Sequence, residues 1–473
     1  MGRKWWTLVA VCTATFMLLL DISIVNVALP SIQRALDASF SELQWVIDAY
    51  ALALATCVLT AGSLADLFGR KRVFIIGIAV FTLASAACGA AFDPVFLIAF
   101  RAVQGVGGAM MFATALALLS QEFHGRERAT AFGIWGGTIG AAVAVGPLVG
   151  GMLTSWLSWR WIFLVNIPIG IAAIALTARQ LHESKDPEHS RLDPPGLVTL
   201  TIGLFCLILA LIEGNDRGWS SPYILTLLVV GAIGMVAFIA TQARGGTTMI
   251  DLALFRRPAF VGAQTSAFAI SASLFSMWLY LTLYLQDVLK LSPLQAGLRF
   301  LPLSLLSFVS APIAGRLAGT LPIRAILATG LGLSALSMLL MSSVSVDSQW
   351  TVLLPGFLIG GVGAGFVNAP LATTAVSTVR IERAGMASGI NNAFRQIGIA
   401  TGIAALGAIF SAKMGSHQDP ATFVHALHDI LLVGAATAAV GAVLAGVLIR
   451  RQDFVASGPA AAAAAAAAAV AES

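Results

Sequence analysis

Three ionisable residues, Asp21, Asp48 and Arg101, stand inside long apolar stretches of this 473-residue chain. An ionisable group inside a hydrocarbon-length run is expensive, so each is a functional candidate by default. Two carboxylates and a guanidinium at similar depth can share a proton-sensitive network. Burial favours the neutral carboxyl, and the guanidinium favours the carboxylate. A static buried ion pair that holds helices together uses the same residue types, and the sequence leaves both readings open. A second constellation lies in GSLADLFGRKR, Gly62 to Arg72, a segment too short for a domain that holds one acid and three bases. Asp66 closes one helix and Arg70 opens the turn. Together they can latch helix ends by ion pairing and by setting a carboxylate at a partner helix N-terminus. Such contacts form in one conformation and break in another. Plain topological anchoring explains Arg70, Lys71 and Arg72, but not Asp66 or the framing Gly62 and Gly69.

Two further sets concern packing and ligands. In VGPLVGG, Val145 to Gly151, Pro147 removes a backbone donor in mid-span and is expected to kink the helix, while Gly146, Gly150 and Gly151, with Gly140 before them, permit close backbone packing. One apolar run carries Phe268, Phe275, Met277, Trp278, Tyr280 and Tyr284. Another carries Asn391, Asn392, Arg395 and Gln396, in which 391 and 395, and 392 and 396, are helical neighbours. Aromatic and methionine side chains suit loosely specified apolar or cationic ligands, although aromatics near a span end also serve as interface anchors. Trp278, Tyr284, Asn391, Asn392, Arg395 and Gln396 are the substrate candidates. Arg395 argues against a purely cationic range unless a carboxylate from another helix neutralises it. No metal site is expected: Cys12, Cys57, Cys88 and Cys206 lie in apolar runs without C-x-x-C spacing, and the six histidines lie at or beyond helix ends.

The elements that must position these groups follow from composition. The chain is 58% hydrophobic and 10% charged, against about 25% charged in soluble proteins. Its apolar runs repeatedly exceed the roughly 20 residues that cross a bilayer. Runs bounded by charge, proline or glycine predict fourteen spans: 5–29, 43–65, 72–92, 95–120, 129–154, 160–178, 196–213, 222–242, 259–286, 293–315, 324–345, 350–377, 384–411 and 424–449. With both termini cytoplasmic, 19 of the 27 Lys and Arg fall in inside segments, among them Arg191, Arg380 and Arg451. One missed span would invert the later loops, so the bias supports the count. On this reading Asp21 lies roughly 13 Å, Arg101 roughly 12 Å and Asp48 roughly 8 Å below the outer helix ends, all in the outer half. The first run is expected to stay as a span rather than be cleaved as a signal.

Self-similarity at half the chain length organises the spans. SELQ at Ser41 recurs as SPLQ at Ser292, an offset of 251; GSLAD at Gly62 as GRLAG at Gly315, 253; GVGGA at Gly105 as GVGAG at Gly361, 256; and ERA at Glu127 at Glu382, 255. Four matches in one order imply duplicated six-helix halves, the organisation of transporters that rock about a midplane site. The divisions are 1–180, a six-helix bundle; 181–257, linkers and an inserted helix pair; 258–451, a second six-helix bundle; and 452–473, an alanine-rich tail assigned no function.

These segments resemble the major facilitator superfamily. Gly62 to Arg72 is similar to its motif A, and Arg101 to Ala109, RAVQGVGGA, to motif B. LLDISIVNVALP, Leu19 to Pro30, resembles the first-span signature of the fourteen-span drug:proton antiporter family, and Val145 to Gly151 its motif C, with Ala142 where a glycine is usual. The resemblance extends to about Arg451. It implies an all-α polytopic fold of two six-helix bundles plus two central helices. It also implies proton coupling through Asp21 and Arg101, with Asp48 as a further candidate, gating by the motif A residues, and drug export across a bacterial inner membrane.

Other classes fall away on sequence. No G-x-x-x-x-G-K-[ST] supports an ATP-driven pump, and GLGLSA, Gly330 to Ala335, follows no strand. No clustered ligands or nucleophile with its base suggest an enzyme, no output domain suggests a sensor, and scattered basic residues do not suggest nucleic acid. The expectation is a multidrug-type exporter of lipophilic or cationic molecules, energised by protons without a bound cofactor. Its alternative is a narrow exporter of one antibiotic or natural product.

Overall fold

The computed structural model describes residues 3–123, 125–185, 193–244, 249–318, 320–379, 383–414 and 419–450. Fourteen long helical stretches follow one another. They are α1 (Arg3–Leu36), α2 (Phe40–Phe68), α3 (Arg70–Gly89), α4 (Pro94–Glu122), α5 (Gly125–Trp156), α6 (Trp161–Gln180) and α7 (Pro194–Arg217). The series continues with α8 (Pro222–Ala243), α9 (Pro258–Val288), α10 (Pro293–Leu317), α11 (Ile323–Met341), α12 (Trp350–Ser377), α13 (Ala384–Met414) and α14 (Pro420–Leu448). Thirteen contain windows long and apolar enough to cross a bilayer among the described residues. The other, α5, is 32 residues long, or about 48 Å. Gly319 and Glu382 of the repeat matches, Arg191, Arg380 and Arg451 of the loop charges, and the 452–473 tail lie outside the described residues.

Local signals start these helices. Asp93, Asp193, Ser221, Ser292 and Asp419 each cap a helix with a side-chain oxygen and are each followed by proline at the first helical position. Reciprocal capping boxes join Ser39 to Glu42 and Ser292 to Gln295. These boxes correct the repeat register. Ser292 corresponds to Ser39 rather than Ser41, which gives an offset of 253, the same as Gly62 to Gly315 and as the starts of α3 and α11 at Arg70 and Ile323.

The helix interiors depart from expectation in three places. Helix α1 does not stop at Pro30 but runs on to Leu36, because in a packed bundle one lost backbone bond does not end a helix. Asp21 therefore lies 18 residues from its start and 15 from its end, just past the middle of the helix and farther from its end than a stop at Pro30 implies. Helix α6 is interrupted at Val165, between Trp161–Leu164 and Asn166–Gln180. Helix α9 carries two π turns, Ser271–Phe275 and Tyr284–Val288.

The apolar core divides only in part along the repeat, because one cluster joins Leu52 and Ala113 of the first half, Leu200 and Phe238 of the inserted pair, and Phe260 and Ala393 of the second half. One cluster draws only on residues 259–449, from Ala259 to Ile449. Another draws on Leu8 to Leu181, joined by Ala372, Val376 and Ala384. The inserted pair, α7 and α8, packs back to back where Gly203 meets Gly234, and α7 lies against both α2 and α13. The outer face of α8 exposes Val229, Ile233, Val236 and Ile239. Close approach elsewhere also rests on glycine: a Cβ at Gly107 of α4 would lie 2.6 Å from the Phe81 backbone nitrogen of α3. Gly107→Val is expected to destabilise the fold by about 1–3 kcal/mol through overpacking. Gly332→Val, where a Cβ meets nothing within 4 Å, should be close to neutral. Thermal unfolding of the two variants in detergent checks the contrast.

Candidate functional site

Asp21 and Arg101 are each 1% exposed and form a buried ion pair, with Arg101 Nη1 2.5 Å from Asp21 Oδ2. The carboxylate is otherwise held by amides: Gln104 Nε2 donates to Oδ1 at 2.9 Å, and Asn166 Nδ2 at 3.1 Å. Arg101 also donates to the Val46 carbonyl at 3.0 Å and to Gln104 Oε1 at 2.7 Å, and it lies 4.2 Å from the Tyr50 ring centroid. Ser85 accepts from both Gln104 and Asn166 and donates to the Phe163 carbonyl. One carboxylate of α1 thus joins α2, α3, α4 and α6. Sequence reasoning missed Gln104, Asn166 and Ser85. Gln104 stands three residues after Arg101, one turn along the same face, and Asn166 opens the second part of α6, so both were findable as intramembrane polar residues.

Asp48 is not part of this network. It is half-buried on α2, and its charged neighbours are Glu213 and Asp216 of α7. Similar depth does not bring two side chains together when they leave α2 in different directions: Val46 and Tyr50 face Arg101, whereas Asp48 faces the inserted pair.

The motif A residues do converge. Arg70 Nη2 and Nε lie 2.9 and 3.0 Å from Asp66 Oδ1, with both side chains 3% exposed. Asp66 Oδ2 accepts the Met386 backbone N–H at 2.8 Å, in the first turn of α13. The carboxylate of one half therefore caps a helix of the other. Gly62 and Gly385 make the approach possible, since a Cβ on Gly62 would lie 2.8 Å from the Gly385 carbonyl oxygen. Gly69 turns the chain with φ +112°, and a Cβ there would run into the Glu183 carboxyl group. Glu183, not singled out by sequence, accepts the Lys71 and Arg72 backbone N–H groups at the start of α3.

The motif C glycines pack within their own half. Gly146 abuts Ser23 and Gly150 abuts Ile24 of α1, and Ser23 Oγ donates to the Ala142 carbonyl at 3.4 Å. Only Gly151 faces the other half, at Leu294 of α10. The seam with the second half lies earlier on α5: Gly133 meets Pro312, Gly137 meets Phe308, and Gly140 meets Ser307. The α5 backbone is helical through Pro147.

A small cavity opens where α5, α9, α10 and α12 meet, with Phe275, Trp278, Ser304, Ser307 and Asn368 in its wall. Trp278 stacks on Phe300 at 4.6 Å. Arg395 lies just behind the wall, donating to Asn368 Oδ1 at 2.6 Å with its guanidinium 5.7 Å from the Phe275 ring centroid. The other expected substrate residues disperse. Tyr284 is buried in the second half and donates to the Ser345 carbonyl. Asn391 donates to Gln264 of α9, Asn392 donates to the Phe112 carbonyl of α4, and Gln396 is half-buried on α13. The polar stripe is therefore shared among three neighbours instead of facing one site, and Ser304 and Asn368 are wall residues that the sequence did not flag.

Asp21→Asn leaves a buried guanidinium without its counter-charge, which costs about 3–5 kcal/mol. Arg101→Gln leaves the converse. The double variant should lose clearly less stability than the two single losses added together, measured by thermal unfolding in detergent; additive losses would deny the coupling.

Residues 11–403 match the family model described as Major Facilitator Superfamily. The multidrug resistance protein Stp of Mycobacterium tuberculosis (strain CDC 1551 / Oshkosh) is 36% identical over 415 residues, covering 88% of this chain and 77% of that protein. The probable actinorhodin transporter of Streptomyces coelicolor is 36% identical over 428 residues, covering 88% and 74%. The crystal structure of the human organic anion transporter MFSD10 superposes with a TM-score of 0.66 over 94% of this chain and 100% of that one, at 14% identity, a likeness of fold. With a family match over most of its length and relatives at this identity, the chain belongs to the Major Facilitator Superfamily.

Proposed function

We propose that this membrane protein exports lipophilic drugs or antibiotics in exchange for protons, by alternating access between its two halves. The observation that carries the proposal is the Asp21–Arg101 pair, a carboxylate and guanidinium buried together in the half whose Asp66 caps α13 of the other. Protonating Asp21 removes the charge that Arg101 answers and leaves a guanidinium free to change partners. Loss of the Asp66 cap lets the far end of the bundle part. The two events are the elements a proton-driven two-state cycle requires.

The energy source on this reading is the proton gradient, with no bound cofactor and no chemical transformation of the substrate. The bilayer and a small molecule are the partners, and nucleic acid is not one. The Arg70–Lys71–Arg72 end faces the cytoplasm of a cell with an inner membrane, as do both termini. The aromatic wall at Phe275 and Trp278 suits lipophilic ligands. A cationic range is less well served, because no carboxylate among the described residues pairs with Arg395. A narrow exporter of one compound is the second reading. It is favoured by the few polar groups placed on an otherwise apolar wall and by a relative named for a single compound.

Everted vesicles with an acid interior are expected to accumulate lipophilic dyes and antibiotics, and an uncoupler should abolish the uptake. Asp21→Asn should reduce gradient-driven accumulation to background while substrate exchange without a gradient continues. Asp48→Asn should keep most of the activity. Uncoupler-insensitive uptake, or full gradient-driven uptake by normally expressed Asp21→Asn, would sink the proposal. A substrate panel in the same vesicles separates broad from narrow export.

A further inference from the structure

Asp21 is not the only group that holds Arg101. The guanidinium also donates to the Val46 carbonyl at 3.0 Å and lies over the Tyr50 ring, 4.2 Å from its centroid, and both of these partners belong to α2. The next aromatic face, Phe163 of α6, is 5.8 Å away. A cation is drawn to a ring face, more strongly where water is excluded, and Tyr50 presents the nearer face. Tyr50 is 2% exposed and Arg101 1%, so solvent does not weaken the contact. The other titratable group that faces the pair among the described residues is the Cys88 thiol of α3, while α4 and α6 add the neutral Gln104 and Asn166.

Neighbouring helices fix the Tyr50 ring in place. A Cβ at Gly105 of α4 would run into the Tyr50 carbonyl oxygen, and one at Gly108 would lie 3.2 Å from the Tyr50 hydroxyl. Phe81 of α3 meets the ring edge to face, with centroids 6.5 Å apart. The hydroxyl has no hydrogen-bond partner among the described residues, so what Tyr50 offers the network is its face rather than its oxygen. That face matters most when Asp21 is neutral. A charged carboxylate answers the guanidinium directly. Once it takes a proton, the partners left to Arg101 among the described residues are Gln104 on its own helix and the Val46 carbonyl and Tyr50 ring of α2. The hold on Arg101 thus passes from α1 to α2. Helix α2 runs unbroken from Phe40 to Phe68 and carries Asp66, the cap of α13, in its last turn.

We propose that Tyr50 is a positioning residue for proton coupling: its ring holds the Arg101 guanidinium on α2 while Asp21 is protonated. The inference rests on the export reading and adds to it a residue that motif resemblance did not mark. Without the ring face the protonated form is harder to reach, so about tenfold more protons are needed for the same transport rate.

The test grades the ring face in the full chain. Fluorine withdraws charge from a ring face with little change of shape, so Tyr50 is replaced by phenylalanine and by phenylalanines carrying one, two and three fluorines. Doxorubicin uptake into everted vesicles is then measured against the proton concentration of the lumen. Tyr50→Leu should raise the half-maximal proton concentration about tenfold, Tyr50→Phe should restore it, and each added fluorine should raise it by a further step. A flat fluorine series would overturn the inference, and that series carries the test even where Tyr50→Leu fails to fold. A second measurement needs no transport. Thermal unfolding in detergent should show the fluorines lowering the melting temperature more in Asp21→Asn, which mimics the neutral acid, than in the chain with Asp21 intact. Equal lowering in the two backgrounds is the mark of a merely structural ring and would also overturn the inference. The two proposals fail separately. Proton-driven uptake with a flat fluorine series refutes only the role of Tyr50, whereas proton-independent uptake with the unfolding contrast intact refutes the export reading and leaves the hold of Tyr50 on Arg101 standing.

Discussion

A carboxylate and a guanidinium taken out of water together constrain the first half of this protein more than any apolar contact. Hydrocarbon supplies no hydrogen bonds, so Asp21 must find all its donors in neighbouring helices. It finds them on α4 and α6, while Arg101 reaches the α2 backbone at Val46. The interruption of α6 at Val165 has a purpose in this light, because it delivers the Asn166 side chain to the carboxylate. A polar cluster that joins five helices is specific in a way that apolar packing is not. Leucine packs acceptably against many surfaces, whereas Oδ1 accepts two amides only in one relative placement of three helices.

The second half buries polar groups of a different kind. Its interior buries serines, threonines and asparagines, and its buried cation among the described residues, Arg395, is answered by an amide. Halves that share a helix order and a register of 253 residues thus hold different electrostatic contents. Among the described residues the first holds the closed Asp21–Arg101 pair together with a buried Arg128 whose Nε and Nη2 find no hydrogen-bond partner, and the second holds Arg395 against Asn368.

Much of this was legible in the sequence, for definite reasons. Span number, the inserted pair and the duplicated halves follow from hydropathy and spacing, which the bilayer enforces on every helix. Asp66 and Arg70 were legible because a short segment with framing glycines leaves few places for a side chain to go. Depth along a helix can be counted, but rotation about its axis is set by packing, and there the reading failed. Asp48 was grouped with Asp21 on depth and faces α7 instead. Asn391 and Asn392, about 100° apart on α13, bond to α9 and α4 respectively. The continuation of α1 past Pro30 and the π turns of α9 depend on neighbours that satisfy displaced backbone groups, and no local pattern announces them. Motif C was found as a glycine-rich stretch, yet which glycines face α1 and which face the other half depends on the helix phase of α5.

The inserted pair carries a consequence for traffic through the membrane. Helix α7 straddles the meeting line of α2 and α13, with Thr60 and Thr201 3.4 Å apart on one flank and Asn215 bonded to the Ala404 carbonyl on the other. A molecule dissolved among the lipid tails therefore finds that flank shuttered by an extra hairpin. The opposite flank, where α5 meets α10, is sealed by a different device: no hairpin of the described residues covers it, and Gly133, Gly137 and Gly140 draw the two backbones together against Pro312, Phe308 and Ser307.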